Sequence, residues 1–304
     1  MSDETRDSLE NPRDAVVLFG GAGGSSRGLH DAGFKPIGFE WNSHAVATHR
    51  ANGMKCYVHD LSLSLMDELI PFTQMLWASP PCQPFSAAGD GEGEFDDRDG
   101  FPWTLRIIAG RLPAVVIIEN VKGLTFTKHH AYFAGILASL RELGYSVEWR
   151  VLNSADYGVP QTRERCFIVC RRDGGPITWP TLTHTEHAGM FTEKWVCMAD
   201  ALGWYDFNVE IAYRQTNRAG EPIYCNATNR PSPTIGTQSR SQWLINGTQK
   251  LTVEEAALLQ GFPADYVWCG NVGDVDRQIG NAVPPTMARV LAEANRPLVL
   301  EVAA

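Results

Sequence analysis

The residues of this chain best able to do chemistry are a cysteine and a glutamate, each at the end of an apolar run. The run at 74–78 reads as the end of a buried strand. Pro80 and Pro81 stop it, because neither can donate to a β ladder. Cys82 comes next, followed by Gln83, Ser86, a glycine-rich stretch (Gly89, Gly91, Gly93) and Arg98. A thiol just past a strand's C-terminal end is where open α/β sheets place their reactive groups. A lone cysteine is more often an inert core residue, but that reading explains the Pro-Pro-Cys-Gln-Pro string poorly.

The second group is Glu119. It ends the most strand-like run of the chain, 114–118, and is followed by Asn120 and Val121. A carboxylate at the tip of a buried strand is costly unless paired or used. If both strands are parallel, Glu119 and Cys82 fall at one edge of the sheet. Further on, alternation places Gln161, Arg163 and Arg165 on one face of a strand start. Three long polar donors there suit contact with an anion or a base, whereas the bland reading is a charged surface edge.

These groups need a scaffold, and the opening of the chain supplies one. The run 15–19 reads as a strand, and Gly20, Gly21, Gly23 and Gly24 lead into a helix ended at Gly33. Such a loop lets backbone approach a ligand and aims helix N–H groups at it. The dinucleotide fingerprint is incomplete, since Ser26 stands where its third glycine belongs. The next strand, 36–40, ends in Glu40 about twenty residues past the loop, the place for a ribose-binding acid. Trp41 beside it can stack on a purine. Asp60 follows a further strand, 55–58, and either accepts from an adenine amino group or caps the next helix.

Composition bounds the rest. With 304 residues, 44% hydrophobic and 20% charged, the chain is a folded globular protein. It suffices for one large α/β domain and a smaller partner. Seven cysteines are an odd count without a framework, which favours reduced thiols inside a cell. Cys166 and Cys170 read as core, and no metal site is expected. The polar N-terminus is no signal peptide, and no apolar run approaches a membrane span. The net charge of −9 counts against nucleic acid overall, but a local cationic face matters more than the sum. Strand–helix alternation stops near residue 171. Aromatics interleaved with Arg214, Arg218, Arg230 and Arg240 then suggest a second, irregular domain suited to bases and phosphates. Thr252 and Glu255 form a capping box, and Pro285 suits the first turn of a last helix.

Taken together, these strings resemble the cytosine-C5 DNA methyltransferase family, over about 15–172 and again about 229–296. The resemblance implies a Rossmann-like α/β methyltransferase sheet, with the catalytic and cofactor-binding domain at 1–172 and 276–304 and a target recognition domain at 173–275. It implies S-adenosylmethionine held by Phe19, Gly20, Gly21, Gly23, Glu40, Trp41, Asp60, Leu61, Pro81, Asn281 and Ala282. Cys82 is then the nucleophile, Glu119 the acid, and Arg163 and Arg165 hold the pyrimidine carbonyl and a phosphate. Gln83, Ser86, Arg98, Asn120, Gln161 and Arg230 fall on the DNA side. The target is cytosine in double-stranded DNA, flipped out because a paired base cannot present C6 to a thiol. One departure is Val17, where the family usually has Asp. The expected setting is a monomer in the cytoplasm of a prokaryote or encoded by phage, with no extra module before the core. Any partner restriction endonuclease is invisible in the sequence. An RNA cytosine methyltransferase on the same fold is the alternative. A nicotinamide-dependent dehydrogenase would leave Cys82, Glu119 and the arginines without roles.

Overall fold

The computed structural model describes residues 13–81, 99–203, 210–216, 222–226, 229–245 and 249–298. Its centre is a seven-stranded sheet built from β1 (Arg13–Leu18), β2 (Pro36–Glu40), β3 (Lys55–Val58), β4 (Thr73–Ala78), β5 (Val115–Val121), β6 (Ser146–Asn153) and β7 (Glu164–Arg171). The order is β3-β2-β1-β4-β5-β7-β6. All neighbours pair in parallel except β7, which runs antiparallel to both β5 and β6. The central strands are continuous apolar runs because both faces are covered. Val16, Leu18, Leu76, Ala78, Val116 and Ile118 face one core, shared with α3 (Phe101–Arg111) and α4 (His130–Glu142). Ala15, Val17, Met75, Trp77, Val115 and Ile117 face the other. There they meet α1 (Gly24–Asp31) and α9 (Pro285–Ala294). Val17, the departure noted above, lies wholly inside this apolar layer.

Two consequences position the site. The chain winds outward from β1 to β3, then returns to the other side of β1 with β4. That reversal opens a crevice at the C-terminal ends of β1 and β4, where open α/β sheets bind ligands. Because β7 is reversed, its first residues, Glu164 and Arg165, lie at the same edge as the last residues of β5.

The last helix packs unusually close to the first. A Cβ at Gly24 would fall 2.2 Å from the Val283 carbonyl, and one at Gly28 would fall 2.2 Å from that of Pro285, so only glycine permits this approach. Beyond β7 lie the short strands β8 (His184–Thr185) and β9 (Glu193–Lys194), α5 (Met198–Leu202), and a three-stranded antiparallel sheet of β10 (Glu210–Thr216), β11 (Pro222–Asn226) and β12 (Trp243–Ile245), with α6 (Ser239–Gln242) just before β12. A third core joins Met198, Ile235, Trp243 and Ile245 to α7 (Val253–Leu259), α8 (Val272–Asn281) and Met54. The capping box read from Thr252 and Glu255 is present in both directions. Among the described residues no helix is long and apolar enough to cross a membrane.

Candidate active site

The glycine loop and Glu40 form one unit. β1 is followed by Phe19, whose φ of +55° is strained for a residue with a side chain. Gly21 and Gly23 follow at φ +51° and +96°, a conformation glycine adopts freely. The Glu40 carboxyl fastens this turn: Oε2 accepts from Gly21 N at 2.9 Å and Oε1 from Asn42 N at 2.8 Å. Burial raises its pKa, against the pull of those N–H groups. The Trp41 backbone N–H also reaches this carboxyl, and its remaining lone-pair capacity can accept a ligand hydroxyl. Trp41, immediately after, is 72% exposed. Asn42 then caps α2 (Ser43–Ala51) by accepting from His44 N and Ala45 N.

Just past the end of the adjacent β3, Asp60 is exposed, and its Oδ1 accepts from Ser62 N and Oγ. These bonds hold its carboxyl below the usual range. The Leu61 side chain is core and its carbonyl accepts from Arg106 Nη2, so any ligand contact it makes is through backbone. Asn281 is exposed and Ala282 buried, directly before the Val283 carbonyl that touches α1. A hydroxyl-accepting acid, an open indole face, a second acid and a backbone cradle at open Gly21 fit a nucleoside bearing a charged tail.

At the neighbouring strand ends, Glu119 is buried and pairs with Arg165, whose Nε stands 3.2 Å from Oε1. The register sets Phe167 opposite Glu119 and Arg165 opposite Val121, so the pair is a same-face diagonal. Burial raises the Glu119 pKa, while Arg165, Arg163 and the Ser79 hydroxyl oppose the rise. Ser79 was not singled out in the sequence, being a small residue in a turn. It accepts from Trp77 Nε1 at 3.0 Å and lies within hydrogen-bonding reach of Glu119.

Cys82, Gln83, Ser86 and Arg98 lie outside the described residues. Their flanks are well placed. Pro80 and Pro81 pack against Gly100, where a Cβ would fall 2.6 Å from Pro81 Cδ and 3.1 Å from Phe19 Cζ. The described chain thus stops and resumes beside the glycine loop and one strand from Glu119. Asp99 caps the resumption, accepting from Phe101 N at 3.0 Å and from the Tyr132 hydroxyl.

Three expectations need correcting. Arg163 is 2% exposed and its guanidinium donates to the carbonyls of Ile235, Gly280 and Ala282, each at 3.0 Å. Those donors are committed to backbone and do not form a fork for a pyrimidine or a phosphate. Gln161 is fully buried: Nε2 donates to Leu259 O and Gln260 Oε1, and Oε1 accepts from Ile235 N. Asn120 is also internal, donating from Nδ2 to the Pro80 carbonyl at 3.2 Å and accepting from Val121 N. All three side chains are committed to internal partners that brace the site. The shared face predicted for Gln161 and Arg163 is covered by segments 72 to 119 positions away, which local patterning cannot register. Arg230 is exposed, and Met198 N donates to its carbonyl.

Known structures and sequences agree with this geometry. The fold matches the Entamoeba histolytica methyltransferase EhMeth with a TM-score of 0.65 at 16% identity, over 94% of this chain and 98% of that one. At such identity the likeness speaks for the architecture alone, a Rossmann-like α/β fold. Two curated sequences come nearer: the Type II methyltransferase M.AplI of Arthrospira platensis, 33% identical over 91% of this chain and 84% of that protein, and the Type II methyltransferase M1.HphI of Haemophilus parahaemolyticus, 32% identical over 92% and 85%. The profile of the C-5 cytosine-specific DNA methylases matches residues 14–195 and 192–296. The chain belongs to that family and is a DNA cytosine-C5 methyltransferase.

Proposed function

We propose that the reaction runs through a covalent adduct on Cys82, with Glu119 as the proton donor and Arg165 as its partner. The observation that carries this reading is a carboxyl buried at the strand edge, its pKa raised by burial, one strand from the turn that leads into Cys82. S-adenosylmethionine would supply an electrophilic methyl group and would be held by the Gly20–Gly23 turn, Glu40, Trp41 and Asp60, with Asn281 and Ala282 lining the pocket.

The cytosine C5 is too weak a nucleophile unaided. Addition of the Cys82 thiolate to C6 forms an S–C bond and moves the C5–C6 π electrons toward C5 and N3. Glu119 gives a proton to N3 as charge develops there, and burial, which raises its pKa, favours that step. Arg165 then faces the carboxylate it leaves behind. After C5 has taken the methyl, a water molecule takes the C5 proton, the C5–C6 double bond re-forms as the S–C6 bond breaks and expels the thiolate, and the N3 proton returns to Glu119. The base must be out of the duplex throughout. Residues 173–275 would read the target around it, with Arg230 on that side, and the enzyme would serve as the modification half of a restriction–modification pair.

The test is duplex DNA carrying 5-fluorocytosine at the target, identified beforehand by bisulfite sequencing of DNA from expressing cells. Fluorine cannot leave as a cation, so an adduct once methylated has no exit. The wild type is expected to give a complex stable to denaturant in the presence of S-adenosylmethionine, and Cys82→Ala none while still binding DNA. A stable complex in Cys82→Ala would overturn the assignment.

A further inference from the structure

The glycine loop is braced from the far end of the chain. Tyr266 is buried behind it, and its hydroxyl donates to the Ala22 carbonyl at 2.5 Å, across 244 positions. A Cβ at Gly23 would fall 2.9 Å from that hydroxyl and 2.8 Å from Met54 Cε, so loop and brace are in van der Waals contact. The ring is fixed in turn: Phe262 lies 4.7 Å and Trp268 5.1 Å away, centroid to centroid. The next residues are tied to α2. Asn52 Nδ2 donates to Val267 O at 2.8 Å and Val267 N to Asn52 Oδ1 at 2.9 Å. Cys269 N donates to Thr48 Oγ1 at 2.8 Å.

The loop's other bonds hold its ends. Gly20 N donates to Phe39 O, Gly21 N to Glu40 Oε2, and Gly23 N to Gly20 O. The Ala22–Gly23 peptide closes that turn: its N–H is held by the Gly20 carbonyl, and its own carbonyl points the other way, next to a glycine whose φ of +96° a residue with a side chain would resist. The Tyr266 hydroxyl fixes that peptide. Burial holds the phenol protonated well past its ordinary range, so it stays a donor.

We propose that Tyr266 is a positioning residue of the cofactor cradle, touching no ligand but setting the direction of the Ala22 peptide and so the shape of the turn that receives S-adenosylmethionine. The inference rests on the placement of that cofactor under the proposed function. It also ties the pocket to α2, which begins just after Trp41, so one brace serves both walls.

Calorimetric titration with S-adenosylhomocysteine tests it on the intact chain. Tyr266→Phe keeps the ring and removes one buried hydrogen bond, and is expected to weaken Kd roughly tenfold. The urea midpoint should stay near the wild type, and the KM for S-adenosylmethionine should rise while kcat at saturation stays within about twofold. Asn52→Ala loosens the same segment from outside and should weaken Kd by a smaller factor. Unchanged Kd in both variants overturns the proposal, as does a weakening matched by an equal loss of global stability. Failure of the wild type to bind the probe would instead overturn the placement of the cofactor.

Discussion

Arg163 donates from Nη2 to the carbonyl of Ala282, 119 positions later in the chain. The same nitrogen also reaches Gly280, and Nη1 reaches Ile235. One buried cation thereby knots the start of β7 to the segment before the last helix and to the segment after the irregular region. Replacing that cation leaves the Ile235 and Gly280 carbonyls to find other partners in a dry place, while Ala282 keeps only its bond from Gln260 Nε2. Arg163→Met is therefore expected to lose about 3 kcal/mol or more of stability, read as a lower urea midpoint. A variant with a wild-type midpoint and selectively impaired methylation would return Arg163 to contact with the base.

Trp41 makes the opposite case. Its indole is largely in solvent beside an acid that already shapes the loop, so removing it should cost the fold little. Trp41→Ala is expected to weaken S-adenosylmethionine binding about tenfold, the scale of one lost aromatic stacking face, with the melting temperature unchanged. An unaltered dissociation constant by calorimetry would show that the ring is no platform.

His49 gives the fold a pH dependence. Its ring is fully buried behind the loop, where a Cβ at Gly20 or Gly38 would fall 3.2 or 2.6 Å from Cε1. The Gly21 backbone is the polar group that reaches its ring. Burial lowers its pKa to about 4, with the Gly21 backbone opposing and Arg50 reinforcing the shift. Between the unfolded value near 6.5 and that folded value, the unfolded chain binds the extra proton. The stabilisation is thus complete above about pH 6.5 and is lost as pH falls toward 4, up to about 3 kcal/mol. Urea midpoints measured from pH 7.5 to 4.5 should fall less steeply in His49→Phe. Equal slopes for the two proteins would refute it.

The sheet was legible because its strands are buried on both faces and so spell uninterrupted apolar runs. The acids that end two of them, Glu40 and Glu119, stand out against that background for the same reason. The braces were not legible. Gln161 and Arg163 look like surface donors until Ile235 and Ala282 arrive from elsewhere in the chain. Asn120 reads as a ligand until it is seen donating to Pro80. Ser79 and Tyr266 carry no motif at all; only the meeting of distant segments gives them work. Patterning reports what a residue's own strand or helix does, and these roles belong to contacts between elements.

The close seat of α9 on α1 bears on how the molecule is made. Met287, Ala288 and Leu291 cover the layer of Ala15, Val17 and Trp77, and they leave the ribosome after everything they cover. Until then the nascent chain carries a greasy sheet face open to water, a state prone to self-association. Emergence of that helix, more than growth of the sheet, would be the moment at which the chain becomes safe from aggregation.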